Sequence, residues 1–236
     1  MATALITGAS QGLGRALAEG LLDAGWSVVI DARHAEALER AAHDLAGHVT
    51  PGHALVARPG DVTDPGHRQE LVAAVAERGG LDLLVNNAST LGATPLPPLT
   101  DYPIGELVRV LEVNTVAPLA LIQAVWPWLG QSPRPRIVNV TSDASVESYP
   151  GWGGYGLAKA ALDHLSAVLA VEQPAVRVWA VDPGDLQTQM HQDAFPGEDI
   201  SDRPEPACAV PGLLALLGSD RPSGRVRLAE LEGGAK

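Results

Sequence analysis

The sequence is short of several kinds of residue, and each shortage excludes a class of protein. Its 236 residues include one cysteine, Cys208, which excludes an internal disulfide and a metal site built from several cysteines. Basic residues number 16 against 28 acidic ones, a formal charge of −12. This charge argues against binding to nucleic acid or an anionic membrane, because both require clustered Lys and Arg. We therefore expect no nucleic-acid or membrane partner, and we identify no metal site.

Long apolar runs, targeting signals, repeats and low-complexity linkers are also missing. No apolar run approaches the roughly 20 residues that span a bilayer. Met1 leads almost directly into an apolar strand pattern, which leaves no room for a signal peptide, so we predict a cytoplasmic location. Apolar residues make up 46% of the chain and charged residues 19%, which is typical of a globular protein. The length predicts a single domain over residues 1–236.

Strand patterns alternate with helical patterns along the whole chain. This alternation predicts an α/β fold, a doubly wound parallel sheet with helices on both faces. Strands are predicted at residues 2–7, 26–31, 54–57, 81–85, 136–142, 176–181 and 226–230. Helices are predicted at residues 13–24, 35–46, 64–76, 104–129 with an interruption at Pro118, 155–171 and 207–217.

A glycine-rich turn connects the first strand to the first helix. Gly8 permits the tight turn, Gly12 lets the backbone approach a pyrophosphate, and Gly14 allows the helix to pack closely on the strand. The N-terminus of the helix offers free N–H groups and a positive dipole end to phosphates. Because the turn lies between a strand and a helix, it predicts a dinucleotide site. We assign to this site Gly8, Ser10, Gln11, Gly12, Leu13 and Gly14.

A hydroxyl, a phenol and an ammonium group are expected to meet in one cleft. Tyr155 and Lys159 are four residues apart and therefore lie on the same face of a helix. The preceding strand ends in Ser142, and a short loop separates it from the helix. A Tyr-x-x-x-Lys pair alone also fits an ordinary pair of surface residues, so its interpretation depends on the other motifs.

Taken together, the motifs resemble the classical short-chain dehydrogenase/reductase family. They are the glycine-rich turn, Asn86-Asn87-Ala88, Asn114, Ser142, Tyr155 with Lys159, and Pro183-Gly184, in the family's order and near its usual spacings over nearly the whole chain. The resemblance implies a Rossmann-type sheet of about seven strands. It also implies hydride transfer between a nicotinamide and a carbonyl or secondary alcohol substrate.

The resemblance assigns roles to four catalytic residues. Tyr155 would be the general acid in reduction and the general base in oxidation, and the positive charge of Lys159 would lower the pKa of Tyr155. Ser142 would hydrogen-bond the substrate oxygen, and Asn114 would hold a water in the proton relay.

Cofactor contacts are also implied by the resemblance. Asp61 and Val62 would contact the adenine, and Lys159 would contact the nicotinamide ribose with Tyr155 beside it. The segment Asn87-Ala88-Ser89 would lie at the cofactor ribose, where the family usually has glycine in place of Ser89. Beside the nicotinamide carboxamide would lie Pro183, Gly184 and Thr188.

The end of the second strand bears on the choice of cofactor. Asp31 by itself favours NAD, because a carboxylate here can bind the ribose 2′-hydroxyl. In the resembled family the discriminating acid usually lies one residue later, where this chain has Ala32. Arg33 falls where members that prefer NADP often carry a basic residue, and its planar guanidinium suits a phosphate. We therefore predict NADP(H) in preference to NAD(H).

Two alternatives to an oxidoreductase share the same fold. One is a catalytically inactive, NADP-binding regulatory protein, and the other is a lyase or epimerase that binds the cofactor without net redox change. The segment 189–206 has three prolines and no clear period, and we predict that it is a lid insert over the cleft. Family resemblance implies a homodimer or homotetramer formed through the helix around Asn114 and the helix that carries Tyr155. The sequence does not identify the small-molecule substrate.

Overall fold

Seven parallel strands form one sheet in the order β3-β2-β1-β4-β5-β6-β7 in the computed structural model, which describes residues 2–232. The strands are β1 (Thr3–Ile6), β2 (Ser27–Ala32), β3 (Leu55–Pro59), β4 (Leu83–Asn86), β5 (Arg136–Val140), β6 (Arg177–Asp182) and β7 (Gly224–Arg227). The central strands are buried at every position, as expected for a parallel sheet covered on both faces. The predicted doubly wound sheet of about seven strands is confirmed.

Helices cover both faces of this sheet. They are α1 (Gly12–Asp23), α2 (Ala35–Leu45), α3 (Pro65–Glu77), α4 (Ile104–Leu111), α5 (Ala117–Leu129), α6 (Gly153–Glu172), α7 (Gln189–Ala194), α8 (Val210–Gly218) and α9 (Ala229–Glu232). Successive residues of a strand point to opposite faces. Leu5 of β1 therefore packs in one apolar core with Leu71 of α3, and Ile6 packs in the other core with Leu17 of α1.

Helices α4 and α5 are joined by a π-helical turn, Glu112–Val116, so that Ile104–Leu129 is one helix of 26 residues. The predicted interruption at Pro118 is wrong. The proline lies in the first turn of α5, and the π turn before it changes the spacing of the backbone hydrogen bonds, so the missing N–H does not end the helix.

The same helix is long and apolar enough to cross a membrane by length and composition alone. The sequence did not reveal this, because charged residues interrupt its apolar run. In the most apolar 18-residue stretch of this helix, 44% is buried inside the domain. Leu121, Val125 and Leu129 belong to the apolar core against the sheet, as in a core helix.

Most other predicted ends of strands and helices are shifted by one to three residues, including that of β5, which ends at Val140 before Ser142, and two differences change an element. The last strand ends at Arg227, and the chain then turns into the short helix α9, so residues 228–230 are not part of the strand. The segment after Thr188 begins with the six-residue helix α7, and the His191 amide in its first turn donates to the Thr188 hydroxyl. The periodicity of so short a helix is too brief to detect in the sequence.

Candidate active site

A cleft with a volume of about 650 Å³ opens at the carboxyl ends of the strands. Strand β1 lies between β2 and β4, so the strand order reverses at this place, which is where doubly wound sheets bind ligands. Most residues that the sequence singled out line the cleft: Gly8, Ser10, Gln11, Gly12, Leu13, Arg33, Asp61, Val62, Asn87, Ala88, Ser89, Ser142, Tyr155, Lys159, Pro183, Gly184 and Thr188. The other two, Gly14 and Asn114, are buried behind its wall.

The glycine-rich turn is held from two sides. The Gly8 amide donates a hydrogen bond of 2.7 Å to Asp31 Oδ1, and the Asn87 side-chain amide donates to the carbonyl oxygens of Thr7 and Gly8 at 2.9 and 3.0 Å. Gly8 has φ +67°, and a Cβ atom there would lie 2.8 Å from Ala88 Cα. Only glycine suits this position, since both its conformation and its contacts exclude a side chain.

The first turn of α1 is open toward the cleft. A Cβ atom on Gly12 would meet only the Thr188 side chain, at 3.5 Å, whereas a Cβ atom on Gly14 would lie 2.5 Å from Asn87 Nδ2. The two glycines therefore differ as expected, one leaving room over the helix N-terminus and the other permitting close packing. This open N-terminus fits the pyrophosphate of a dinucleotide.

Asp31 is fully buried and has a second partner that the sequence did not reveal. Its Oδ2 atom lies 3.1 Å from Nε2 of His67, which is also buried. Burial raises the pKa of the Asp31 carboxyl, and the hydrogen bonds from His67 and Gly8 offset part of this rise. The hydrogen bond to Asp31 raises the pKa of His67, against the opposing effect of burial. Both carboxylate oxygens of Asp31 are thus engaged within the protein, one by the Gly8 amide of the glycine-rich turn and the other by His67.

Arg33 is exposed at the rim of the cleft, two residues beyond Asp31. Within residues 2–232 its guanidinium forms no ion pair. Burial opposes ionisation of the neighbouring Asp61, yet hydrogen bonds from the Thr63 amide and hydroxyl lower the pKa of Asp61 overall, and the positive charge of Arg33 acts in the same direction. Ala32 provides no carboxylate between Asp31 and Arg33.

Asn114 lies in the π turn of the long helix and is 1% exposed. Its Oδ1 atom accepts hydrogen bonds from the Thr90 amide at 2.9 Å and from the Ser89 hydroxyl at 3.2 Å, and its Nδ2 atom donates to the Thr90 carbonyl at 2.9 Å. Asn114 therefore fixes the loop that follows β4. π turns are frequent at functional sites because they re-aim a side chain within a helix.

Tyr155 and Lys159 lie on one face of α6 and are 7% and 2% exposed. The Lys159 ammonium donates a 2.8 Å hydrogen bond to the Val140 carbonyl at the end of β5, and lies 5.5 Å from the centre of the Tyr155 ring. Burial lowers the pKa of Lys159 to about 8. The lysine is thus close to gaining or losing a proton at neutral pH.

The pKa of Tyr155 is raised, not lowered as the sequence analysis expected. Burial is the main cause, and the charges of Asp143 and Asp182 act in the same direction. Hydrogen bonds with the hydroxyls of Ser89 and Ser142 lower it only in part. Tyr155 therefore keeps its proton at neutral pH, as a general acid requires. How completely the phenol is buried depends on the whole fold and could not be predicted from the Tyr–Lys spacing.

Ser142 lies two residues beyond β5 and caps the short helical turn that follows. Its hydroxyl donates to Asp143 Oδ1 at 2.9 Å and accepts from the Ala144 amide at 3.2 Å. The other carboxylate oxygen of Asp143 accepts a 3.0 Å hydrogen bond from the Tyr149 hydroxyl. These contacts fix the loop that presents the Ser142 hydroxyl beside Tyr155.

The end of the cleft that contains Tyr155 is lined by aromatic and apolar side chains. The Trp152 ring packs edge-on against Tyr155 with centroids 5.6 Å apart, and lies 5.8 Å from the Phe195 ring. Phe195 also stacks on His191 at 5.0 Å. The same cluster also contains Leu91, Leu96, Ala144, Met190 and Ala194.

Comparison with known proteins identifies the family. A family model described as short chain dehydrogenase matches residues 2–199. The chain belongs to the short-chain dehydrogenase family. The resemblance predicted from the sequence motifs is therefore confirmed, and the match ends before β7.

Several members of the short-chain dehydrogenase family resemble this chain over most of their length. Sepiapterin reductase from Rattus norvegicus is 35% identical over 201 residues, covering 81% of this chain and 76% of that protein. Benzil reductase from Saccharomyces cerevisiae is 32% identical over 199 residues, covering 80% and 73%. A short chain dehydrogenase from Shigella flexneri, solved in complex with NADP, superposes with a TM-score of 0.87 at 28% identity, covering 97% of both chains.

In a short-chain dehydrogenase, this arrangement provides the groups needed for acid–base catalysis beside a dinucleotide cleft. A protonated phenol, a serine hydroxyl and a lysine with a pKa of about 8 are brought together by α6 and the loop after β5. The individual roles of these residues stay predictions. Sequence reasoning missed His67, the hydroxyl contact of Ser89, and Arg225 of β7, which donates to the Ser142 carbonyl.

Proposed function

We propose that this short-chain dehydrogenase is an NADP(H)-dependent oxidoreductase that reduces a carbonyl compound or oxidises the corresponding secondary alcohol. The observation that carries the proposal is the buried, protonated Tyr155 beside Ser142 and Lys159, at one end of a cleft whose other end is formed by the glycine-rich turn and Arg33. The NADP complex of the similar Shigella flexneri protein supports the same cofactor here.

Each of the four catalytic residues has its own role in the proposed reaction. NADP(H), when bound, supplies or accepts the hydride. Tyr155 gives its proton to the carbonyl oxygen during reduction and takes it back during oxidation, and Ser142 hydrogen-bonds the same oxygen as negative charge develops on it. Lys159, with a pKa of about 8, returns the proton to Tyr155. Asn114 orders the loop beside them and holds the water that completes the path to solvent.

The aromatic end of the cleft supports a substrate with a flat ring next to the carbonyl group. Trp152 and Phe195 offer faces against which such a ring packs, and aromatic pairs stabilise this arrangement beyond the area they bury. The names of the similar sepiapterin and benzil reductases point in the same direction.

A panel of carbonyl compounds tests the function. We expect NADPH to be oxidised with aromatic ketones, aromatic diketones and pterin ketones, measured as loss of absorbance of the reduced nicotinamide. Aliphatic ketones of equal size serve as the control for the aromatic cleft, and NADH serves as the control for the cofactor. Tight binding of NADPH without turnover of any carbonyl or alcohol would contradict an oxidoreductase.

Arg33→Ala is expected to weaken NADPH binding by about 10- to 100-fold and to leave NADH binding unchanged. The physical reason is the loss of one charge-assisted contact with the 2′-phosphate, which is worth about 1.5–3 kcal/mol. Fluorescence titration with each cofactor gives both dissociation constants. Arg58→Ala is a matched control, because Arg58 lies on β3 outside the cleft. Equal affinity of the unmodified protein for NADH and NADPH would show that Arg33 does not select the cofactor.

The segment 189–206 is proposed to act as a lid over the cleft. Its two ends are held together by a 2.8 Å hydrogen bond from the Gln187 amide to the Pro204 carbonyl, and Phe195 docks it on Trp152. Hydrogen exchange is expected to slow in this segment when NADPH and an aromatic substrate analogue bind, because they extend the apolar surface on which it packs. Strong protection in the free protein that ligands do not change would identify a permanently docked loop.

Copies of the chain are proposed to pair through α4, α5 and α6. Several apolar side chains are exposed on these helices and on the π turn between α4 and α5, namely Ile104, Val108, Val116, Leu119, Leu157, Val168 and Val171. Exposed apolar surface of this extent on neighbouring helices is characteristic of protein interfaces. We expect light scattering at micromolar concentration to give the mass of a homodimer or homotetramer, and a monomer would contradict this interface.

A further inference from the structure

Arg225 of β7 connects three parts of the molecule near the reacting groups. Its Nη2 atom donates to the Ser142 carbonyl oxygen and to Asp182 Oδ2, both at 3.0 Å, and its Nε atom donates to Asp163 Oδ2 at 3.2 Å. The Arg225 side chain is 25% exposed, and its two carboxylate partners are 16% and 4% exposed. The guanidinium is therefore a partly buried cation whose Nε and Nη2 atoms both have hydrogen-bond acceptors.

The first of these contacts fixes the backbone of the serine loop, which is the segment between β5 and α6 that carries Ser142. The Ser142 carbonyl oxygen also lies 2.7 Å from the Ser145 hydroxyl, and that hydroxyl lies 2.6 Å from Asp163 Oδ2. Arg225, Ser145 and Asp163 thus form a closed set of contacts around the Ser142 carbonyl. A shift of this carbonyl would rotate the backbone of Ser142 and thereby move its hydroxyl.

The second contact fixes the turn after β6. Asp182 Oδ1 accepts a 3.0 Å hydrogen bond from the Gly184 amide, while its Oδ2 atom is bound by Arg225. Gly184 has φ +76° and lines the cleft opposite the serine loop. Arg225 therefore reaches both loops that enclose the reacting end of the cleft, one through a carbonyl and the other through a carboxylate.

We propose that Arg225 is a positioning residue for the oxidoreductase reaction, which sets the Ser142 hydroxyl and the Pro183-Gly184 turn relative to each other. The inference rests on the proposed function. The planar guanidinium holds its donors in fixed directions toward these acceptors, whereas the three donors of a lysine ammonium rotate freely on a compact charge. Arg225 lies on β7, outside residues 2–199 that the family model matches.

Arg227 provides a matched control on the same strand. It lies 3.4 Å from the same Asp182 Oδ2 atom through its Nε, and 3.8 Å from Glu147 in the serine loop, but it is 48% exposed and forms no hydrogen bond with the Ser142 carbonyl. Substituting Arg227 removes the same charge from the same carboxylate. It leaves the Ser142 carbonyl contact of Arg225 in place.

The experiment compares Arg225→Gln, Arg225→Lys and Arg227→Gln in the full chain. We expect both Arg225 variants to lower kcat by about 10- to 100-fold with KM for the substrate changed less than threefold, because small misplacement of a catalytic group lowers the rate rather than the affinity. Arg227→Gln is expected to keep kcat within about twofold. The dissociation constant of NADPH, measured by protein fluorescence, is expected to rise for the Arg225 variants only.

The results distinguish a failure of the positioning role from a failure of the proposed function. Arg225→Lys keeps the positive charge but lacks the planar guanidinium. A loss of kcat in this variant at an unchanged melting temperature therefore supports positioning by the guanidinium geometry and not by charge alone. Equal kcat for the Arg225 and Arg227 variants, with the unmodified protein active, would overturn the positioning role and leave the proposed function standing. If Arg225→Gln does not fold, the Lys variant decides by the same criterion. Absence of turnover in the unmodified protein would overturn the proposed function, and the positioning role with it.

Discussion

Tyr155→Phe is expected to lower kcat for carbonyl reduction with NADPH by about 10²–10⁴-fold, with NADPH affinity nearly unchanged. The ring stays packed against Trp152, and only the phenolic hydroxyl is lost. The pKa of Tyr155 is raised mainly by burial, so the hydroxyl is protonated at neutral pH and is the proton donor in reduction. Steady-state rates and fluorescence titration of NADPH give the two quantities.

Tyr102→Phe is the control for this prediction. Tyr102 is 6% exposed against 7% for Tyr155, but it lies outside the cleft, and its hydroxyl is 3.5 Å from the Leu91 carbonyl. The two substitutions therefore remove the same group from equally buried rings. If the Tyr155→Phe variant keeps a tenth or more of the kcat of the unmodified protein, Tyr155 is not the acid–base group.

His67→Ala is expected to lower the free energy of unfolding by about 3–5 kcal/mol at about pH 6, because it leaves the Asp31 carboxylate buried without its partner. His67 and Asp31 are 4% and 0% exposed. The hydrogen bond to Asp31 raises the pKa of His67, so its contribution is complete below the unfolded-state value of roughly 6.5 and is lost as pH rises through the folded-state pKa. The difference between the two proteins should therefore shrink as pH rises above about 6.5.

Urea unfolding at a series of pH values measures this difference. His43→Ala is the control, because His43 is an exposed residue of α2 whose substitution should change stability by less than about 0.5 kcal/mol. His67→Gln keeps a donor and should lose less than His67→Ala. A pH-independent difference between His67→Ala and the unmodified protein would show that the pair does not carry the proposed proton linkage.

The sequence predicted the sheet and the cleft because both follow from local patterns. Apolar runs such as 81–85 and the glycine-rich turn are continuous in sequence, and parallel strands bring the loops at their carboxyl ends to one edge. Gly8, Ser142 and Tyr155 could therefore be assigned to one site from their positions in these loops and helices. The family resemblance added the cofactor residues.

Contacts between distant residues could not be predicted in this way. His67 is 36 residues from Asp31, and Arg225 is 83 residues from Ser142, and no period or motif links either pair. The raised pKa of Tyr155 depends on burial by the whole fold, which a Tyr–Lys spacing does not encode. Pro118 was interpreted as an interruption because the π turn that accommodates it has no sequence signal.

Transfer of deuterium tests the central claim most directly. The purified protein would be incubated with NADPH in which both hydrogens at nicotinamide C4 are replaced by deuterium, and with the best carbonyl compound of the panel, and the product would be analysed by mass spectrometry. We predict a secondary alcohol with one deuterium on the carbinol carbon, formed by the unmodified protein and lost in Tyr155→Phe. A product without deuterium, or an equal yield from Tyr155→Phe, would contradict hydride transfer through this site.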